Sequence, residues 1–144
     1  MQLCLDMNGL LRLHKIWNSG EPRLDHVAVL AELAGIDGVS LGIQPGEDED
    51  ITLAQHLKAT VGGQFHLAIP PTMEGVKVAL RIKPALCWLV PDGGDEGGMD
   101  LQLFGNRVGE MAGHLKSAGL RVGVRLTPDL EQLKMAHRLG ISLV

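Results

Sequence analysis

Ala118-Gly119-Leu120-Arg121-Val122 is the stretch on which the fold turns: a helical pattern ends, glycine follows, and an apolar run begins. The same phrase recurs as Ala34-Gly35-Ile36-Asp37-Gly38-Val39 and again as Leu139-Gly140-Ile141-Ser142. Glycine suits the residue just past a helix because that position commonly turns left-handed, and only glycine does so without a Cβ penalty. Helix, glycine and strand in repeated succession predict right-handed βαβ units on a parallel sheet.

Working outward from these phrases, apolar runs occupy residues 3–7, 39–43, 65–69, 85–90 and 121–126, with a last one beginning at Ser142. Several are apolar at consecutive positions, as strands covered on both faces should be. Between them, residues 25–34 align Val27, Leu30, Ala31 and Ala34 along one helical face, and residues 129–139 align Leu130, Leu133, Ala136 and Leu139. Thr127-Pro128-Asp129 predicts a cap followed by proline in the first turn of the last helix, and Pro71-Thr72 opens an earlier helix in a similar way. The count is five complete βα units and the start of a sixth strand. The expected fold is therefore α/β, a single truncated, partial TIM-barrel-like domain over residues 1–144. A closed eightfold barrel takes ~250 residues, so one such chain does not complete it, and a homo-oligomer joined through unpaired strand edges is expected.

Composition narrows the function classes. The 144 residues are 45% hydrophobic and 21% charged, too apolar for disorder, and the formal charge of −4 lacks the basic stripe of a sequence-independent nucleic-acid binder. Aromatics make up 3% with no tyrosine, which leaves no stacking platform for single strands; Trp17 and Trp88 are expected to be packing residues. No apolar run is long enough to span a bilayer, and no basic region precedes the first strand as in a secretory signal. Cys4 and Cys87 lie in strand patterns and are expected to be buried free thiols, which suits a cytoplasmic protein. No bound cofactor, nucleic acid or membrane partner is expected.

Strand parity places Asp6 and Asn8 on the inward side at the mouth of the sheet, with His66 inward on the third strand, one layer below Ala68. These three are the catalytic candidates. Asp6 and His66 would form an acid/base pair if the first and third strands curve together; the plainer reading is an inward polar pair that satisfies its own hydrogen bonds. Gln44, Asp92 and Arg125 lie near C-terminal strand ends and, with Gly97 and Gly98, are candidates for holding a ligand. The glycine-rich residues 92–100 read first as a mobile loop, and alternatively as an anion cradle of backbone N–H groups. Glu47-Asp48-Glu49-Asp50 offers oxygens to a hard divalent ion but lacks EF-hand spacing, so a solvated loop entering a helix N-terminus is the first reading. The six histidines show no ligand spacing, so no metal site is expected, and no serine sits in a GxSxG elbow.

Longer motifs add a family. Lys83-Pro84-Ala85-Leu86-Cys87-Trp88-Leu89-Val90-Pro91-Asp92, then Glu96-Gly97-Gly98-Met99-Asp100, is similar to the KPxxxxLVP segment and EGGxD continuation of pyridoxine 5′-phosphate synthase, a (βα)8-barrel enzyme of vitamin B6 biosynthesis. Ala31-Glu32-Leu33-Ala34-Gly35-Ile36-Asp37-Gly38-Val39 resembles that family's AExAGADGI. Weaker echoes are Asp50-Ile51-Thr52, and Gly119-Leu120-Arg121-Val122 with Glu131-Gln132. The resemblance runs in order over nearly the whole chain and implies the N-terminal units of that barrel.

What it implies for chemistry is a stripped site. The family condenses a phosphorylated amino ketone with 1-deoxyxylulose 5-phosphate at the barrel mouth. Its Asn-x-Asp-His pattern on the first strand is matched here by Asp6-Met7-Asn8-Gly9, its general-base histidine by Gly42, its next inward arginine by Gln44 and its catalytic glutamate by Ala68. The basic loop that follows in the family is here Glu47-Asp48-Glu49-Asp50. Two phosphorylated substrates need cationic donors, and ring formation needs proton transfer that glycine and alanine do not supply. The expectation is a divergent relative without the parental activity, working through self-association or partner binding. The alternatives are an active enzyme with a rewired or inter-chain site, and a module that binds a phosphorylated small molecule.

Overall fold

The computed structural model describes residues 2–18, 20–92 and 97–144. Five strands, β1 (Cys4–Asp6), β2 (Gly38–Gly42), β3 (Gln64–Ile69), β4 (Leu86–Leu89) and β5 (Val122–Val124), form one parallel sheet in sequence order. The sixth strand begins as expected: Leu143 bridges Gly123, and the Val124 N–H donates to the Leu143 carbonyl at 3.0 Å. The helices are α1 (Asn8–Trp17), α2 (Leu24–Leu33), α3 (Asp48–Thr60), α4 (Met73–Ile82), α5 (Leu101–Ser117) and α6 (Leu130–Arg138).

Sequential strand order with a helix in every connection is the arrangement of a partial α/β barrel. The glycines of the repeated phrase do what their chemistry suggests: Gly35, Gly119 and Gly140 follow their helices with φ of 98°, 82° and 69°. Alternate strand residues divide between two faces. Val39, Leu41, Phe65, Leu67, Ile69, Cys87, Leu89, Val122 and Val124 are buried in the core with Ala28, Ala54, Leu57, Val76, Ala79, Val108, Met111 and Leu115 of the helices. Each large side chain fully buried here contributes about 1.5–3 kcal/mol relative to exposure. The alternation leaves Cys4, Asp6, Ser40, His66, Ala68, Trp88 and Arg125 for the opposite face.

Three local expectations are corrected. Residues 8–17 form a helix, so Asn8 opens α1 and does not extend the first strand. Asp129, not Thr127, caps α6: its carboxylate accepts from the Glu131 N–H at 3.1 Å, and Pro128 stays outside the helix. Trp17 is 63% exposed and packs into no core; Trp88 does pack, lying so close over Gly123 that a Cβ there would meet its ring at 2.4 Å. No helix among the described residues is long and apolar enough to cross a membrane.

Candidate functional site

At the C-terminal part of the inward face lies a cavity of about 300 Å³ lined by Asn8, Ser40, Ala68, Trp88, Arg125, Leu126 and Val144. Its position follows from register. Gly42 pairs with Ala68, Ala68 with Trp88, and Trp88 with Gly123, so one row across four strands alternates missing or minimal side chains with an indole. Where side chains are absent the face recedes. Arg125 supplies one guanidinium, and among the described residues no acidic side chain, imidazole, thiol or amine joins the lining.

Asn8 explains how the space above Gly42 is used. Its Oδ1 accepts from the Gly42 N–H at 2.7 Å, and a Cβ on Gly42 would meet that oxygen at 3.0 Å and Nδ2 at 3.2 Å. The carboxamide thus lies over the position that the resemblance assigns to a general-base histidine. Asp6 stands at the exposed end of β1 with Oδ1 accepting from the Asn8 N–H at 2.9 Å. Its carboxylate therefore steadies the entry to α1, just outside the cavity lining.

His66 is occupied elsewhere. Its Nδ1 lies 3.6 Å from Cys4 Sγ and its Nε2 lies 3.1 Å from Gln64 Oε1. The structure thus brings His66 to Cys4 and Gln64, while Asp6 turns to the Asn8 backbone. Burial, and then the charge of Arg121, hold the imidazole below its ordinary pKa; burial, with Asp6 and Asp37 nearby, pushes the Cys4 thiol up. Cys87 is fully buried, which pushes its thiol up to about 12.

The remaining candidates are dispersed. Gln44 is half-buried just beyond β2, where its carbonyl accepts from the Glu47 N–H, and Asp92 is exposed beyond β4. Of the glycine-rich loop, residues 93–96 lie outside the described residues. Gly98 presses against β5's exit: a Cβ there would fall 1.9 Å from the Thr127 nitrogen, and the next N–H, of Met99, donates to the Arg125 carbonyl at 2.7 Å. Gly98 is therefore required by close backbone approach, and Gly97 beside it is exposed.

The acidic run is part helix and part latch. Glu47 is the N-cap residue of α3 and the three acids that follow fill its first turn. Lys15 of α1 donates to Glu47 at 2.6 Å and to Asp50 at 2.9 Å. Lys15 holds the Glu47 carboxyl below its ordinary range, whereas burial raises that of Asp50, which is only 5% exposed. Sequence reasoning treated all four acids as solvated; the burial of Asp50 depends on a helix that the periodicity did not separate. Among the described residues no group of three or more His, Cys, Asp or Glu is placed to hold a metal ion.

With this geometry in place, comparison with known proteins is direct. The family described as "Pyridoxal phosphate biosynthesis protein PdxJ" matches residues 3–144. Pyridoxine 5′-phosphate synthase of Geobacter metallireducens is 33% identical over 132 residues, covering 86% of this chain and 54% of that protein. The synthase of Syntrophotalea carbinolica is 29% identical over 150 residues, and that of Syntrophobacter fumaroxidans 30% over 151, each covering 99% of this chain and 62% of the relative. The chain thus spans a little over half the length of these relatives.

Proposed function

The chain belongs to the pyridoxal phosphate biosynthesis protein PdxJ family, and from that premise we propose that it does not itself catalyse the family's ring-forming condensation and acts through association with a second copy of itself. One observation carries the first half: among the described residues, no acid–base side chain lines the cavity at the strand ends. Condensation and ring closure need protons moved at the reacting atoms, and an amide, a hydroxyl, an indole, a guanidinium and aliphatic groups do not do this efficiently. Asn8 over Gly42 and the methyl of Ala68 fill the positions that the resemblance gives to the general-base histidine and the catalytic glutamate.

Support for association comes from the sheet's margins. β1 is an edge strand, and α1 beside it shows Leu13, Ile16 and Trp17 to solvent at helical spacing. At the other margin α6 shows Leu130 and Leu133. Apolar stripes beside open strand edges favour contact between chains. The test is formation of pyridoxine 5′-phosphate from both family substrates, with light scattering on the same sample. No product above a no-protein control, together with a dimer or larger assembly, is expected. Product would overturn the first half and a strict monomer the second.

Arg125 favours a second reading, in which the cavity retains a phosphorylated small molecule without turning it over. Its guanidinium, with the Ser40 hydroxyl nearby in the lining, offers donors to an anion. A phosphate-dependent rise in melting temperature that Arg125→Gln abolishes would support this reading, and no rise would remove it.

A further inference from the structure

At the end of the sheet opposite the mouth lies a second cavity, of about 240 Å³, where α5 returns to β5 and α6 returns to the start of the sixth strand. Its polar side chains are Lys116, Arg121 and Ser142, set beside Leu120 and Leu143, and among the described residues no acidic side chain joins them. In a chain of formal charge −4, two cations sharing a cavity without an acid reverse the sign locally. Their mutual repulsion is relieved by an anion.

Both cations have donors to offer. Helix C-termini often take up basic side chains on their open carbonyls, but here the backbone closes those ends itself. The Gly119 and Leu120 N–H groups donate to the Lys116 and Leu115 carbonyls, and those of Gly140 and Ile141 donate to His137 and Ala136. Lys116 uses one of its three donors on the Gly140 carbonyl at 2.6 Å, which tethers the ammonium between α5 and the last strand and leaves two. Arg121 is rooted just before β5, where its carbonyl accepts from the Cys87 N–H at 2.9 Å. Its guanidinium is exposed and, among the described residues, has no hydrogen-bond or ion-pair partner.

This donor set fits a dianion better than a single carboxylate. Two positive charges match two negative ones, and the guanidinium fork pairs with two oxygens of one group. The ammonium and the Ser142 hydroxyl then need further acceptors, which a tetrahedral phosphate group has and a carboxylate does not. The cavity has room for several waters, so such a group fits with part of its hydration. We infer that Lys116, Arg121 and Ser142 form a binding site for a phosphate group, free or carried on a small ester, at the N-terminal end of the sheet. The site is separate from the mouth cavity, whose guanidinium is that of Arg125.

Inorganic phosphate and glycerol 3-phosphate are the probes, titrated into the full nitrogen-15-labelled chain at constant ionic strength. The amide signals of Gly140, Ser142 and Leu143 and the Nε–H signal of Arg121 should shift and saturate, and acetate should not reproduce the effect. Arg121→Gln should weaken binding by about tenfold or more, Arg121→Lys by less, and Arg125→Gln should leave these shifts unchanged. Saturation by both probes shows that the phosphate group itself is read, and saturation by one names its source; either supports the site. The primary readout is on the unmodified chain, so it does not depend on a variant folding. Shifts that rise without saturating, that acetate matches, or that persist undiminished in Arg121→Gln would each reduce the cluster to solvated surface cations.

Discussion

Lys15→Met tests whether α1 is held to the rest of the molecule by charge. No α1 side chain is fully buried, so its docking leans on a few contacts. Lys15 bridges Glu47 at 2.6 Å and Asp50 at 2.9 Å, with its own side chain half exposed and that of Asp50 buried. An exposed pair alone is worth at most about 1 kcal/mol. Removing the amine also takes a partner from a buried carboxylate, a loss of about 1–3 kcal/mol when no partner remains. Asp50 retains Glu47 as a hydrogen-bonding neighbour, so the lower part of that range applies, and we expect about 1–2 kcal/mol overall. For a chain of this size that is a fall in Tm of roughly 2–8 °C. Urea unfolding should show a lower midpoint at unchanged slope. In an Asp50→Asn background the same substitution should cost only what the exposed Glu47 pair contributes, at most about 1 kcal/mol, because an amide needs no counter-charge. Equal cost in both backgrounds would refute the reasoning and reduce Lys15 to a surface residue.

Three other perturbations follow from named contacts. Asp100 caps α5 and accepts from Gln132 Nε2 at 2.9 Å and the Gln102 N–H at 2.8 Å, which hold its carboxyl below the ordinary range. Its stabilisation is therefore present above the unfolded value near about pH 4 and is lost as pH falls towards the folded one, so Asp100→Asn should flatten the acid limb of the stability profile; parallel loss in both proteins would contradict this. Gly123→Ala should cost about 1–3 kcal/mol because the new methyl meets the Trp88 ring, and adding Trp88→Leu should recover part of it, as measured by denaturation. Asn8→Ala leaves the Gly42 N–H without its acceptor and should cost about 1–2 kcal/mol, whereas a full-stability variant would show that Asn8 does not anchor the cavity wall.

Much of the fold was legible because the signals were local. Gly35, Gly119 and Gly140 mark helix ends by a conformation that other residues enter at a cost, and the apolar runs overlap every strand. α1 escaped because its apolar residues follow the first apolar run with only Asn8 and Gly9 between, and no side-chain cap announces its start. The site was less legible for a different reason. Asn8 over Gly42, Lys15 on Asp50 and Cys4 beside His66 all join separate elements, so they depend on register and helix docking rather than spacing. Strand parity placed Asp6 and His66 on one face, but it could not show that Asp6 turns to the Asn8 backbone while His66 reaches Cys4.

The central proposal is that the described residues at the mouth of this sheet lack the groups for the family's chemistry. Its most direct test is a single-turnover experiment, with the chain in excess over both phosphorylated substrates and pyridoxine 5′-phosphate followed by mass spectrometry. No product beyond the no-protein blank is predicted at any chain concentration. Product that rises in proportion to the chain would contradict the proposal and place a working acid–base pair where the described lining shows none.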